Sequence, residues 1–317
     1  MYPELAERPL ILNILEPAIL LIMAILCSIG NILICIAVYR NPRLRTSTNL
    51  FVIALAISDL LNSSMVMSLA VGVLIAGKWP YGEILCNVHA FFTLFSVYVS
   101  PTTMGLAAFN RYIRIVKSNR YRRMFTPFLS MMYIGAVWLF VAGYVSIPKL
   151  AGLTEYGFIP GYAVCTIIHP TDAVKIAYYS IVVSQFLILP FSVATVSYYK
   201  VFKTINHHNF NMASTVQNVQ HEGRITVREI KITKSLAIIV VAFGLCWIPF
   251  WVIAVFQRFT SSVVPRNVQL LCTFLLFFSS TVNPFIYAGT NEVFRAEFRR
   301  YAKTMKESIL YQQTCHV

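Results

Sequence analysis

Two charged side chains occupy stretches of the sequence that are otherwise apolar. Asp59 lies in LAISDLL, and Arg111 closes the apolar run that ends in AAFNRYIRIV. A carboxylate at the centre of a membrane helix costs about 2.5–3.5 kcal/mol on insertion scales, so Asp59 is a candidate functional residue. Arg111 follows the neutral Asn110, and its candidate partner acid is Glu229 in TVREIKITK. The histidines are scattered, with no cysteine or acid set at metal-ligand spacing, so we predict neither enzymatic nor metalloprotein chemistry.

The elements that position these charges are predicted to be membrane helices. The chain of 317 residues is 57% hydrophobic and only 12% charged, and soluble domains usually carry about a quarter charged residues. A helix needs about 20 apolar residues to cross a bilayer. Seven stretches meet that length: Pro17–Tyr39, Leu50–Ala76, Val88–Phe109, Met124–Pro148, Ile176–Tyr199, Ser235–Gln257 and Asn267–Asn291. The predicted fold class is therefore an all-α membrane protein, a bundle of seven transmembrane helices.

The distribution of basic residues predicts the orientation of the bundle. Most of the 26 Lys and Arg lie after the first, third and fifth stretches and in the C-terminal tail. Because such residues concentrate in cytoplasmic loops, we predict a multi-pass plasma-membrane protein with its N-terminus outside and its C-terminus in the cytoplasm. The net charge of +14 is then explained by topology in a lipid bilayer, and no nucleic-acid partner is expected. The longest inner loop, about His208–Thr226, is polar.

The chain divides into four predicted regions. Residues 1–16 form an extracellular N-terminus, and residues 17–291 form the transmembrane domain. Residues 292–306 form an amphipathic eighth helix on the inner leaflet, and residues 307–317 form a cytoplasmic tail. The helix is predicted from apolar residues spaced by three or four positions, with basic residues on the other face; the apolar residues are Phe294, Phe298, Tyr301 and Met305.

Two cysteines are predicted to form a disulfide. Cys86 and Cys165 are the only cysteines on the predicted extracellular side, where disulfides persist. The remaining cysteines lie inside spans or in the tail: Cys27, Cys35, Cys246, Cys272 and Cys315. The pair would hold the loop after the fourth span over the mouth of the bundle.

A set of short motifs occurs at particular depths along the spans. They are Asn31 in SIGNILI, Asp59, WPYG before Cys86, the triplet Asn110, Arg111 and Tyr112, Trp138, Pro190, FGLCWIPF from Phe243 and NPFIY from Asn283. In order, spacing and depth, the set resembles the rhodopsin-like (class A) family of G-protein-coupled receptors over about Asn31 to Arg300. The resemblance implies a cell-surface receptor that couples an extracellular ligand to a heterotrimeric G protein.

The resemblance also implies roles for particular residues. An activation relay is implied for Asp59, Ser100, Phe243, Trp247, Pro249, Asn283 and Pro284, with an allosteric sodium ion at Asp59 and Ser100. Coupling to the G protein is implied for Asn110, Arg111, Tyr112, Tyr198, Glu229 and Tyr287. An ion pair between Arg111 and Glu229 would stabilise the inactive state of the receptor. The family usually carries an acid at the position of Asn110, so we predict easier basal activation. Pro101, a second departure, predicts a local kink.

The ligand class is narrowed by two absences in the sequence. Thr93 stands where receptors for amines carry an aspartate, and Phe277 stands where opsins carry the retinal-binding lysine. Neither a protonated amine nor covalent retinal is therefore expected, and no cofactor is predicted. An uncharged small molecule or a peptide is expected instead. The predicted lining of its cavity is Thr93, Ser96, Val97, Gln185, Phe243, Trp247, Phe250, Trp251 and Phe274.

Three alternatives stay open from the sequence. Melatonin receptors share the triplet at Asn110 to Tyr112, but their seventh span reads NAxxY, whereas this chain has NPFIY. An opsin-derived receptor that does not sense light is the second alternative. A seven-helix transporter is the third, although Asp59 is the only acid at mid-membrane depth and transport usually needs several paired charges there.

Overall fold

Seven helices in the structure are long and apolar enough to cross a membrane. The computed structural model describes residue 5 and residues 8–214, 227–259 and 264–315. The seven helices are α1 (Leu10–Arg40), α2 (Ser47–Ala76), α3 (Gly82–Val116), α4 (Pro127–Leu150), α5 (Asp172–Ser214), α6 (Val227–Phe259) and α7 (Arg266–Thr290), and an eighth, α8 (Glu292–Cys315), follows. A short helix, Ser118–Met124, joins α3 to α4. The predicted seven-helix bundle is confirmed.

Several helices are longer than the sequence predicted. The first helix begins at Leu10 rather than at Pro17, so Pro17 lies inside it and residues 10–16 of the predicted extracellular N-terminus are helical. Hydrophobicity alone ended the predicted span at Glu16, but this carboxylate is neutralised within the bundle, as described below. The eighth helix continues to Cys315 rather than ending near residue 306. Of the predicted inner loop, residues 208–214 belong to α5, and residues 215–226 lie outside the described chain.

Local sequence signals set several helix ends. The hydroxyl of Thr46 accepts a hydrogen bond from the backbone N–H of Asn49, which caps α2. The hydroxyl of Thr126 does the same for α4, with Pro127 in the first turn, as N-terminal capping requires. At its other end α2 stops at Gly77, which adopts the left-handed conformation (φ 65°) that favours glycine.

Two of the described helices contain a π-helical turn, in which backbone hydrogen bonds join residues five positions apart instead of four. These turns are Asn62–Met67 in α2 and Val183–Ile188 in α5. Each one rotates the following residues relative to an uninterrupted α-helix. The side of the helix on which a residue lies after the π-helical turn therefore cannot be predicted by continuing the regular spacing of 3.6 residues per turn.

The centre of the bundle is α3, which is buried along most of its length between Cys86 and Ile113. The helix stays continuous through Pro101. It approaches α5 closely at Gly105, where an added Cβ would lie 3.2 Å from the Cα atom and the carbonyl oxygen of Pro190. By contrast, α1 and α4 turn many large apolar side chains outward.

A two-stranded hairpin covers one end of the bundle, named here the hairpin end. Strand β1 (Glu155–Ile159) pairs antiparallel with β2 (Val164–Ile168), and Phe158 faces Cys165 in the register. The hairpin is fixed to α3 by a disulfide between Cys86 and Cys165, whose Cα atoms are 5.5 Å apart. The predicted disulfide is confirmed. The opposite end, which holds Arg111, is named the arginine end.

Candidate functional site

At the arginine end, one carboxylate joins α3 to α6. Arg111 Nη1 donates to Glu229 Oε2 at 2.9 Å, as the sequence predicted. The other carboxylate oxygen, Oε1, accepts from Arg114 Nε at 2.9 Å and from Arg114 Nη2 at 2.5 Å. The sequence prediction had not included Arg114. Arg111 is 1% exposed, so its charge is compensated within the protein by Glu229 rather than by water.

The neutral Asn110 belongs to a separate contact. Its side-chain oxygen accepts a hydrogen bond from the hydroxyl of Thr48 in α2 at 3.0 Å, and its buried amide nitrogen has no hydrogen-bond partner among the described residues. The hydroxyl of Tyr121 lies 3.5 Å from that of Thr48. Burial alone would raise the pKa of Tyr121, but the hydrogen bond with Thr48 and the interactions with Arg114 outweigh it and lower the pKa. The side chain of Asn110 therefore connects α3 to α2 through Thr48. Glu229 is the described carboxylate that pairs with Arg111.

The three tyrosines predicted near Arg111 occupy different places. Tyr112 lies under the ammonium group of Lys200 in α5, which is 5.4 Å from the ring centre. Tyr198 in α5 and Tyr287 in α7 are both buried, and the hydroxyl of Tyr287 has no hydrogen-bond partner within the described chain. Neither hydroxyl is bonded to Arg111 in this arrangement. An unbonded buried hydroxyl is costly, which favours a second arrangement in which Tyr287 finds a partner.

Deeper in the bundle, Asp59 is buried and pairs with α7. Asn283 Nδ2 donates to Asp59 Oδ2 at 2.9 Å, as expected. The hydroxyl of Ser100 lies 3.4 Å from that of Ser58, one residue before Asp59. These contacts join α2 to α7 and α2 to α3, but Ser100 contacts Ser58 rather than Asp59. The sodium ion expected at Asp59 and Ser100 therefore stays a prediction; carboxylate and hydroxyl oxygens are the ligand type that hard cations prefer.

An aromatic contact on α6 lies between the surroundings of Asp59 and the cavity at the hairpin end. The rings of Phe243 and Trp247 are stacked with centres 4.6 Å apart, and Trp247 Nε1 donates to the hydroxyl of Ser279 in α7 at 3.2 Å. Pro249 lies inside α6 and Pro284 inside α7. Proline removes a backbone hydrogen bond from a helix interior, so α6 has a weakened point two residues from Trp247 toward the hairpin end.

A cavity of about 470 Å³ extends from the hairpin past Trp247 to Ser100, whose hydroxyl contacts Ser58 beside Asp59; the size is typical of small-molecule sites. Most of the predicted lining is present, namely Thr93, Ser96, Val97, Phe243, Trp247, Phe250 and Trp251. Two predictions are wrong. Gln185 is exposed on the outside of α5, because the π-helical turn Val183–Ile188 changes the helical phase. Phe274 packs against a hydrophobic cluster formed by α1, α2 and the hairpin, while Thr273 and Phe277 line the cavity instead.

The cavity has polar residues at the hairpin end that the sequence analysis missed. They are His169, Lys175, Tyr178 and Tyr179, together with Tyr98 and Gln269. His169 lies just after β2, with its ring centre 5.0 Å from that of Tyr178. Burial, and then the positive charge of Lys175, lower the pKa of His169. No aspartate or glutamate lines the cavity in the part of the chain that the structure describes.

His89 has a structural position at the edge of the same region. It is fully buried, and its Nδ1 accepts a hydrogen bond from the backbone N–H of Cys165 at 3.2 Å. Its Nε2 lies 3.3 Å from the carbonyl oxygen of Val66, which can only accept. The two backbone partners fix one tautomer, so His89 supports the disulfide and does not line the cavity.

A second ion cluster at the hairpin end was not predicted. Glu16 in α1 accepts from Arg8 at 2.7 Å and also pairs with Arg266 at the start of α7. Arg8 further donates to the carbonyl oxygen of Leu74 in α2. Glu16 and Arg8 are both buried, and residues so distant in sequence give no local signal of pairing. The cluster explains how α1 can extend beyond the apolar stretch.

Comparison with known proteins gives a family match over most of the chain. The family described as the 7 transmembrane receptor (rhodopsin family) matches residues 30–287. The histamine H2 receptor of Homo sapiens is 24% identical over 287 residues, which cover 89% of this chain and 77% of the relative. The melatonin receptor type 1B of Mus musculus is 26% identical over 302 residues, covering 94% and 80%. The 5-hydroxytryptamine receptor 4 of Homo sapiens is 29% identical over 320 residues, covering 92% and 79%.

Proposed function

Because the chain belongs to the rhodopsin family of seven-transmembrane receptors, and so is a receptor that acts through G proteins, we propose that a small organic molecule bound between Trp247 and the hairpin is its activating ligand. The supporting observation is that cavity and ion pair share one helix. Trp247 lines the cavity, and Glu229, on the same helix, pairs with Arg111 at the arginine end. The family match also removes the transporter alternative and any enzymatic role.

The orientation of the chain follows from the same proposal. With the N-terminus outside a plasma membrane, the hairpin end faces the extracellular solution and the arginine end faces the cytoplasm. The outward apolar side chains of α1 and α4 then face lipid, as membrane helices require. This orientation agrees with the excess of basic residues at the arginine end and with a disulfide on the oxidising side.

We propose that signalling passes along α6. A ligand that contacts Trp247 favours a different packing of this ring, and the helix swings at Pro249. Glu229 then leaves Arg111 and Arg114, and the arginine end opens for the G protein. A ligand shifts such an equilibrium only by its difference in affinity for the two arrangements, so contact with the movable ring is what makes binding productive.

The same proposal includes a sodium ion near Asp59. Asp59 is buried with an amide partner and without a cationic side chain beside it among the described residues. A small cation held by the Asp59 carboxylate and the Ser100 hydroxyl would balance the charge. Bound there, it would stabilise the present arrangement of α2, α3 and α7.

The ligands of the relatives differ in one decisive respect. Histamine and 5-hydroxytryptamine are amines, whereas melatonin carries a neutral amide. The cavity of this chain presents Thr93 at the level where a carboxylate would bind an ammonium group, and no carboxylate lines it within the described residues. We therefore propose that the ligand is not recognised through an ammonium group. A melatonin-like ligand stays the second candidate, because the cavity has aromatic walls and neutral hydroxyl groups.

A screen with two matched variants tests this function. Cells that carry the receptor are exposed to a library of small organic molecules, and G-protein activation is recorded. Compounds active on the wild type should lose activity in Val97→Trp, which fills the cavity, and in Arg111→Ala. They should retain it in Leu139→Trp, because Leu139 points outward from α4. Activity that survives in Val97→Trp would place the ligand elsewhere, as for a peptide resting on the hairpin.

A further inference from the structure

The hairpin end of the cavity concentrates groups that donate hydrogen bonds or carry positive charge. Lys175, in the first turn of α5, is a lining residue, and so is His169 six positions before it. Lys175 forms no ion pair among the described residues. Three acids lie at the nearby strand and helix starts. Glu155 and Glu83 are exposed and outside the lining, and Asp172 begins α5 three positions before Lys175, with its side chain outside the described part of the chain.

Several buried polar atoms in the lining have no hydrogen-bond partner among the described residues. Trp251 is 5% exposed, and its Nε1, which can only donate, has no acceptor among the described residues. Neither ring nitrogen of His169 has a hydrogen-bond partner there either, and the hydroxyl of Ser96 is in the same state. Buried polar atoms are normally satisfied. Trp251 Nε1 and the Lys175 ammonium group can only donate, whereas the Ser96 hydroxyl and a neutral His169 can donate or accept. The cavity therefore offers at least two donors that a ligand with acceptor oxygens would satisfy.

No counter-charge for Lys175 comes from the deeper part of the cavity. Asp59, which lies beyond the deepest lining residues, is buried against Asn283 and is not itself a lining residue. Glu16, at the hairpin end, already pairs with both Arg8 and Arg266. A molecule entering from this end meets a positive, donor-rich rim first and an aromatic chamber below it.

We propose that the ligand is an organic anion, with a carboxylate or similar group between Lys175 and His169 and an aromatic or apolar body against Trp247, Phe250 and Trp251. The inference rests on the proposed function and specifies its ligand class. Lysine binds carboxylates by a charge-assisted hydrogen bond, about twice as strong as a neutral one. The flat apolar body would occupy the chamber of about 470 Å³ and reach the movable ring of α6.

Three probe molecules that share one ring system but differ in charge test whether the cavity prefers an anionic, a neutral or a cationic ligand. Indole-3-acetate is an anion, indole-3-acetamide is neutral, and tryptamine is a cation, and all three share the indole body. The purified receptor in lipid nanodiscs is heated with each probe, and the midpoint of unfolding is recorded. A ligand that binds the folded state raises this midpoint, and the stabilisation grows with the logarithm of the ligand concentration relative to its Kd. Benzoate and phenylacetate, each with its amide and amine analogue, extend the series to other aromatic bodies.

Substitutions at one lysine give the sharpest comparison. Lys175→Met should weaken binding of the acids by about 10- to 100-fold, the effect of losing a charge-assisted hydrogen bond. Lys175→Glu should transfer the preference from the acids to the amines. Lys78→Met is the matched control, because Lys78 lies at the same end of the bundle, is exposed and does not line the cavity. It should bind the acids as the wild type does.

The pH dependence gives a second readout, which a merely structural lysine would not change. His169 is faced by Lys175 from α5 and by the rings of Tyr178 and Tyr179. Without ligand, burial and Lys175 keep its pKa low. A bound carboxylate would raise that pKa, so binding takes up a proton. Affinity for indole-3-acetate should therefore increase as the pH falls from about 8 to about 6, where the acid stays ionised. His169→Asn should remove this slope.

The outcomes separate this inference from the proposed function. Stabilisation by at least one acid that Lys175→Met abolishes supports the inference. It is overturned if no acid stabilises the wild type, if the amides match the acids, or if Lys175→Met leaves acid binding unchanged. Nucleotide exchange on a purified heterotrimeric G protein, measured in the same preparations with the library hits, tests the receptor function independently. Hits that are amides or amines, blocked by Val97→Trp, would preserve the function and overturn the anion.

Discussion

Replacing Glu229 by glutamine should activate the receptor without ligand. Glu229 is the only carboxylate bonded to Arg111 among the described residues, since Asn110 is neutral and bonds to Thr48. The substitution keeps the size of the side chain and one acceptor oxygen, but removes the negative charge shared by Arg111 and Arg114. In a receptor with an acid beside the arginine, part of the restraint would survive. Here, all of the restraint by charge is lost.

The size of the effect follows from the exposure of the two arginines. The Arg111 side chain is 2% exposed, and its hydrogen bond to Glu229 is charge-assisted; such a bond contributes about 1.5–3 kcal/mol net. The Arg114 side chain is 34% exposed, and an ion pair of that kind adds at most about 1 kcal/mol because solvent screens it. A total of about 1.5–4 kcal/mol shifts an equilibrium roughly 10- to 700-fold. An open form populated at about 1% would then reach roughly a tenth to almost 90%.

Ligand-free nucleotide exchange on a purified heterotrimeric G protein measures this change. Equal amounts of wild type, Glu229→Gln and Glu292→Gln are compared in nanodiscs. Glu292 is the matched control, because it forms the other described ion pair of this end of α6, with Lys231, but that pair is exposed. Only Glu229→Gln should accelerate exchange. Exchange by Glu229→Gln at the wild-type rate would show that the ion pair does not restrain activation.

Three further predictions concern the packing and covalent structure of the bundle. Asn110→Asp should lower ligand-free signalling by giving the adjacent arginine a second carboxylate, and unchanged signalling in cells at equal surface expression would contradict this. Cys86→Ser should lower the thermal stability, by about 4 kcal/mol in the chain-entropy description, and reduce surface expression; a melting midpoint equal to that of the wild type would refute it. Gly105→Ala should destabilise by about 1–3 kcal/mol, because its Cβ would press on the backbone of Pro190. Gly135→Ala is its control, since nothing lies within 4 Å of the new Cβ, and equal melting midpoints for the two variants would contradict the close approach.

Much of the fold could be predicted because its causes are local. Seven long apolar stretches require seven membrane helices whatever their packing. Two contacts were also predictable from charge and depth, Asp59 with Asn283 and Arg111 with Glu229. In each case a costly charge needed a partner, and few candidates lay at the same level.

The errors arose where geometry departs from a regular helix or where distant residues meet. Gln185 was placed in the cavity by counting along a regular α-helix, and the π-helical turn in α5 turns it outward. The role of Arg114 was missed because an arginine at a helix end is ordinarily solvated. The pairing of Glu16 with Arg266 joins residues 250 positions apart. Such contacts depend on the assembled bundle and leave no pattern in the sequence.

The rim of the cavity was missed for a related reason. His169 and Lys175 lie between the hairpin and α5, in a segment that looked like an ordinary polar loop and helix start. Their convergence on one space depends on the disulfide, which holds the hairpin across the bundle. Only the folded arrangement reveals that these donors face a chamber with no carboxylate in its described lining.

If Glu229 holds α6 against α3, its release should open the arginine end. Spin labels at Lys117→Cys, just after α3, and Lys234→Cys, on α6, report this separation, and both positions are exposed. Their distance distribution is measured by pulsed electron paramagnetic resonance in the wild type and in Glu229→Gln, with and without nucleotide-free G protein. We expect a longer-distance population that is minor in the wild type, larger in Glu229→Gln, and increased in both by the G protein. A single unchanged distance in all four samples would contradict a restraint of α6 by Glu229.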